Sequence, residues 1–376
     1  EGCIPTKYML QNLKEVNKYE KEELVSTLEK GIHFLIDKAK ITYINGTARL
    51  IDGHHVSVNG DVYETKFILL ATGSTNRTLS FKGSEYMLSS KEILTLDHLD
   101  VKKILIVGAG VIGLEFASFY SAIGVEVILV EFLDKIMNGW DKDLQSNYRL
   151  ALRKQKIDVR TNCSIKEIEK NETCLKVTLS DSTMIEVDKV LMCVGRQALK
   201  IESEIELEVE NSRLIVNENQ QSSIKTIYGA GDCCSPLQLA HLASSQARNA
   251  IRHMFNLPNF ENTSIVPKVL YVTPQLASVG SSEGTSVKVT MNSSGMATIQ
   301  KQDRGFVKLV KENNYLTGAH LMMNEAGEVI TLLTTAIVLK TPISELLSIV
   351  YPHPSLSETI KEALVQLQEK KDEHIV

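Results

Sequence analysis

Six cysteines in 376 residues are too few for a disulfide scaffold, and that sparseness fits a reducing cytoplasm. No apolar run reaches the length of a membrane span, and the opening residues carry no signal-peptide pattern. Repeats and low-complexity tracts are absent. Neither sign of charge dominates: the formal net charge of −5 gives no reason to expect nucleic acid or an anionic membrane as a partner. What remains is ordinary for soluble globular domains, with 43% hydrophobic and 23% charged residues. The length exceeds one core, so two or three domains are expected.

The most informative stretch runs from Lys102 to Glu131. Ile104 to Val107 is a short apolar run and predicts a buried parallel strand. Gly108, Gly110 and Gly113 follow in the spacing G-x-G-x-x-G. These glycines allow a tight turn, close approach of a pyrophosphate and close packing of helix on strand. The helix that follows would point its free N–H groups at that anion. Val125 to Val130 predicts a second strand ending at Glu131. A carboxylate there accepts from a ribose 2′-OH and repels a 2′-phosphate, favouring NAD over NADP. A glycine-rich turn of some other α/β protein is the competing explanation, and the strand–turn–helix–strand context argues against it.

The rest of the chain surrounds this unit. Residues 1 to about 39 read as helical, with Leu10, Leu13, Val16, Leu24, Leu28, Ile32, Leu35 and Ile36 near helical spacing. Ile41 to Leu50 predicts a strand, and His55 to Val58 with Val62 to Leu70 a hairpin about Asn59-Gly60-Asp61. The second hairpin strand runs into Ala71-Thr72-Gly73-Ser74. That turn suits a ligand, although a plain strand exit explains it equally simply. Asp143 to Lys154 reads as a helix, Ile157 to Arg160 as a strand, and Lys166 to Val187 as a meander. Val190 to Val194 ends in Gly195-Arg196. A second glycine pair in Tyr228-Gly229-Ala230-Gly231-Asp232 delivers an aspartate that could bind sugar-like hydroxyls or cap a helix. A helix from Leu239 to about Met254 follows, and Pro258 to Ser264 is the best linker candidate. From Pro267 onward, strands and then helices predict an α+β domain. Just before the last helix (Leu356 to Lys370), His353 sits between two prolines and Glu358 lies five residues on. The carboxylate could orient the imidazole. A surface histidine beside a helix-start glutamate accounts for the same residues. Cys233 and Cys234 read as small buried thiols, and Cys163, Cys174 and Cys193 as core residues of strand-like segments.

Four of these stretches, in this order, resemble the motifs of flavin disulfide reductases. They are Gly2-Cys3-Ile4-Pro5-Thr6-Lys7, Gly108 to Gly113 with Glu131, Tyr228 to Asp232 with Leu239-Ala240-His241, and His353 to Glu358. The wording is most similar to the dihydrolipoamide dehydrogenases. The resemblance implies an α/β fold: a Rossmann-like NAD domain (99–197) inserted in a partial FAD domain (1–98 and 198–260), then an α+β dimerisation domain (261–376). It also implies the chemistry, dihydrolipoamide plus NAD⁺ giving lipoamide plus NADH through a redox disulfide and FAD. Cys3 matches the cysteine nearer the flavin, His353 the base that deprotonates the substrate thiol, and Glu358 its orienting carboxylate. Lys7, Gly46, Thr72, Gly73, Ser74, Asp232, Gln238, Leu239, Ala240 and His241 match flavin contacts. Gly108, Ala109, Gly110, Val111, Ile112, Gly113, Leu114, Glu115, Glu131, Ile165 and Gly195 match NAD contacts. A homodimer is implied, with His353 and Glu358 acting across it, as are lipoyl domains of 2-oxoacid dehydrogenase or glycine-cleavage complexes as partners. No metal is expected.

The chain also departs from the pattern. The family's first redox cysteine would fall ahead of Glu1, as would its first FAD glycine fingerprint, so a fragment or truncated variant is expected. A single Cys3 cannot form the intramolecular disulfide. Arg-x-Pro-Asn reads Arg196-Gln197-Ala198-Leu199 here, and Tyr351 stands where the family has histidine. Two alternatives therefore stand beside the dehydrogenase: a catalytically inactive NAD- and FAD-binding protein of the same fold, and a reductase resembling glutathione or mercuric reductase.

Overall fold

The computed structural model describes residues 2–13, 18–95, 100–302 and 304–371. Val16, the domain boundary near residue 98 and the last residues, 372–376, lie outside them. The fold is α/β, and the chain divides into two compact units. One comprises Glu1–Glu22, Thr78–Val194 and Ile265–Val376; the other comprises Glu23–Arg77 and Gly195–Ser264.

The first unit contains a five-stranded parallel sheet in the order Met87–Ser89, Lys189–Met192, Lys103–Val107, Glu126–Val130, Asp158–Arg160. The apolar run Ile104–Ile106 is wholly buried in its central strand. Parallel strands are covered on both faces, which is why this strand is apolar along its length. The helices Val111–Ala122 and Lys142–Lys154 follow the strands Lys103–Val107 and Glu126–Val130. A three-stranded meander carries Ile165–Lys170, Leu175–Leu179 and Met184–Val187. The C-terminal part is a five-stranded antiparallel sheet with the helices Ala326–Val338 and Ser357–Glu369 packed on it. The strands precede those two helices, as the sequence order predicts, and one short helix, Gly295–Ile299, interrupts the strands.

In the second unit, Ile68–Leu70 pairs in parallel with Ile227–Gly229, and Ser74–Asn76 pairs antiparallel with Arg196–Ala198. The meander Ala48–Leu50, His55–Val58, Asp61–Glu64 completes it, with Leu50, Ile68, Leu70, Leu214 and Ile227 as its core.

The stretch expected to be helical, residues 1 to about 39, forms two helices, Cys3–Gln11 and Lys18–Lys38, the first ending at Asn12, whose side chain turns back to the Tyr8 carbonyl. Two expected strands need correction. The strand expected over Ile41 to Leu50 is confined to Ala48–Leu50; residues 41–47 are exposed and irregular, because no strand pairs with them among the described residues. Finally, Val62 to Leu70 is broken at Thr65-Lys66-Phe67, where the Thr65 hydroxyl donates to the Phe67 carbonyl at 3.0 Å. Its first half stays in the meander, while Ile68–Leu70 joins the parallel pair. Among the described residues no helix is long and apolar enough to cross a membrane.

Candidate active site

The glycine loop of the first unit joins Lys103–Val107 to Val111–Ala122. Gly113 must be glycine, since a Cβ there would lie 1.9 Å from the Gly108 carbonyl oxygen. Gly110 is the opposite case: a Cβ there would meet nothing within 4 Å, so open space lies over the loop. Gly110 is also the helix N-cap, with no side-chain cap and no acidic residue in the first turn. The N–H groups of Val111, Ile112 and their neighbours therefore keep their capacity to bind an anion. Leu114 is buried beneath them. Glu131 follows the strand Glu126–Val130; its carboxylate accepts from Ala109 N at 2.6 Å and from Leu133 N at 2.9 Å. An anion-ready helix start, open space at Gly110 and a carboxylate at the second strand's end fit a dinucleotide. Ile165 is buried at the start of its strand.

One turn into the same helix, Glu115 is 3% exposed and grips Lys7 of the helix Cys3–Gln11, with Nζ–O distances of 2.7 and 2.8 Å. Tyr271 N also donates to Glu115 at 3.2 Å, and the Lys7 ammonium lies 4.9 Å from the Tyr271 ring centroid. Burial pushes the Glu115 carboxyl above its usual range, and Lys7 pulls it back. Sequence reasoning assigned these two residues to different cofactors and missed their pairing. Sites so far apart in the chain leave no local signal. Cys3, at the start of that first helix, is an exposed free thiol.

His353 and Glu358 are brought together. His353 Nδ1 lies 2.9 Å from Glu358 Oε1, and Ser355 N donates to Glu358 Oε2 at 2.9 Å. The Ser355 N–H and then His353 hold the Glu358 carboxyl below its usual value. A charged carboxylate on Nδ1 makes that nitrogen the donor and leaves the lone pair on Nε2. With His353 79% exposed, that lone pair can meet a proton donor from outside this part of the chain.

In the second unit, the Ser74 hydroxyl donates to Asp232 Oδ2 and accepts from Arg196 Nε at 2.7 Å. Arg196 further reaches Asn76 Oδ1 at 2.9 Å and the Ser74 carbonyl at 2.6 Å. In sequence Arg196 is only the first position of a motif whose third and fourth positions depart at Ala198 and Leu199; here it clamps the strand that carries Ser74. Thr72 is exposed and Gly73 half-buried beside it. Gly195 accepts at its carbonyl from Arg77 N at 3.0 Å. Gly46 lies against the Asn59 side chain. Gln238 and Leu239 precede the helix Ala240–Met254, whose N-cap Leu239 gives no side-chain cap and whose first turn, with Ala240 and exposed His241, has no acid. An acidic acceptor beside a hydroxyl and a second uncapped helix start fit the polyol and phosphate parts of a flavin nucleotide.

Residues 1–247 match the family profile described as pyridine nucleotide-disulphide oxidoreductase, and residues 266–364 match that family's dimerisation domain. The chain is similar to a dihydrolipoamide dehydrogenase of Chaetomium thermophilum, 32% identical over 98% of this chain and 83% of the relative. It is similar to a dihydrolipoyl dehydrogenase of Mycoplasma genitalium, 28% identical over 96% of this chain and 88% of the relative. The HOCl-induced flavoprotein disulfide reductase RclA from Escherichia coli is similar in backbone, with TM-score 0.88 and 25% identity over 97% of this chain and 89% of that one.

Proposed function

The chain belongs to the pyridine nucleotide-disulphide oxidoreductase family, and we propose that within it the chain oxidises dihydrolipoamide with NAD⁺ as acceptor. It is an oxidoreductase of the flavoprotein disulfide type, and its cofactors are FAD and NAD. FAD, when bound, carries two electrons between thiol chemistry and the nicotinamide. The observation that carries the substrate assignment is the His353–Glu358 pair. Glu358 fixes the imidazole through Nδ1, so Nε2 takes the proton of a substrate thiol, and the carboxylate stabilises the imidazolium that forms. Cys3, exposed at the start of the first helix, would be the flavin-side half of the redox disulfide, with the cysteine that the resemblance places ahead of Glu1 as its other half.

Asp232 with Ser74 and the start of Ala240–Met254 would hold the flavin's ribityl chain and phosphate. The Gly108–Gly113 loop would hold the NAD pyrophosphate, and Glu131 the adenine ribose. Lys7 paired with Glu115 would place one cation at fixed geometry in the reacting half. We assign 99–197 to NAD, 1–98 with 198–260 to FAD, and 261–376 to dimerisation. A homodimer that completes the site with its partner's His–Glu pair, a cytoplasmic location and lipoyl-domain partners belong to the same proposal. One residue favours a reductase of some other disulfide: Tyr351, where the dihydrolipoamide dehydrogenases it resembles carry histidine.

The test is NADH formation from dihydrolipoamide and NAD⁺ by the FAD-loaded protein extended to include the family's redox cysteine ahead of Cys3, with H353Q beside it. The proposal expects turnover that falls about 10²–10⁴-fold in H353Q. Turnover of another disulfide substrate without any of dihydrolipoamide would replace this reading with the second one.

A further inference from the structure

Cys233 and Cys234 close the 3-10 turn Gly231–Cys233 that carries Asp232. The two sulfurs are anchored on consecutive carbonyls: Cys233 Sγ donates to Ala230 O at 3.2 Å and to Leu70 O at 3.1 Å, and Cys234 Sγ donates to Gly231 O at 3.4 Å. The two cysteines are neighbours in the chain, so one short turn orients both sulfurs. Cys233 is fully buried, while Cys234 is half-buried. Space filling alone would not call for two sulfurs side by side, each oriented by backbone.

We propose that Cys233 and Cys234 form a vicinal dithiol site for a soft, thiophilic ligand of the trivalent arsenic class, separate from the Cys3 chemistry. Soft thiolate donors select soft acceptors. The turn already orders both side chains, so little entropy is lost when one atom bridges them. With phenylarsine oxide as the ligand, two As–S bonds form, the As–O double bond is lost, and the two thiol hydrogens leave with that oxygen as one water. Arsenic stays trivalent, so no oxidant or reductant is needed. Cys234 is the point of entry and Cys233 the second donor, reached as the ligand settles onto the turn.

The experiment is intact-mass analysis of the full chain carrying Cys3→Ser, after incubation with phenylarsine oxide and excess 2-mercaptoethanol. The proposal expects one adduct per chain that survives the monothiol and is released by dithiothreitol. It expects loss of that adduct in C234S and in C233S. Because C233S replaces a buried side chain, proteolytic mapping of the unsubstituted turn supplies a second readout, with the arsenic on the peptide holding both cysteines. An adduct that maps to Cys163, Cys174 or Cys193, one that persists in C234S, or no adduct at all overturns the proposal.

Discussion

The two units use the same local grammar with different support. In the first, the strand Lys103–Val107 is flanked on both edges by parallel strands and ends in a glycine turn and a helix. In the second, Ile68–Leu70 pairs with Ile227–Gly229 and has no strand on its other edge among the described residues. The apolar stripe Leu24, Leu28, Ile32, Leu35, with Ile41, Tyr43 and Ile44, stays exposed. A motif is thus one thing and its packing another: both glycine-bearing turns are formed, yet only the first follows a strand with neighbours on both edges. Stability should divide accordingly.

The largest expected effect sharpens that contrast directly. Ile106→Ala, in the buried central strand, should cost about 2–5 kcal/mol, whereas Ile32→Ala, at a position 59% exposed, should change stability by less than about 0.5 kcal/mol. Urea unfolding followed by the single tryptophan, Trp140, reads the first unit, and hydrogen exchange reads the second. Equal costs at the two positions would break the comparison.

Next comes the buried pair in the first unit. Lys7→Ala strands Glu115 without its cation and should cost about 3 kcal/mol, short of the full range for wholly buried pairs because Lys7 is partly exposed. The same urea curve measures it. Arg196→Ala tests the second unit's own polar network. Losing its bonds to Ser74 and Asn76 should cost about 1–2 kcal/mol and speed amide exchange across Ser74–Asn76.

The smallest effect is a titration. Glu358 is held below the usual carboxylate value, so its pairing contributes above the unfolded pKa and is lost as pH falls through the lowered folded one. In H353Q the carboxyl's NMR midpoint should rise part of the way back. Ser355 N, its larger cause, remains in place. An unchanged midpoint would mean that His353 does not perturb it.

Most of the first unit was legible in the sequence because its signals are local. Strand, glycine spacing, helix and Glu131 fall within thirty residues, and period and turn chemistry act over that range. His353 and Glu358 were legible as a candidate pair for the same reason. What sequence missed was non-local. Lys7 meets Glu115 and Arg196 meets Ser74 across more than a hundred residues, and side-chain pairing at such range leaves no periodic trace. The overlong strand at Ile41 shows a third kind of failure. Its β-branched and aromatic residues have strand propensity, but propensity forms a strand only where a neighbouring strand accepts the hydrogen bonds.

The measurement that tests the account most directly is a calorimetric titration of the chain with NAD⁺ and with NADP⁺. The open helix start at Gly110 and the carboxylate of Glu131 predict that NAD⁺ binds the more tightly, and that E131A narrows the gap by removing the acceptor that repels a 2′-phosphate. NADP⁺ binding as tightly as NAD⁺, or a preference unmoved by E131A, would contradict it.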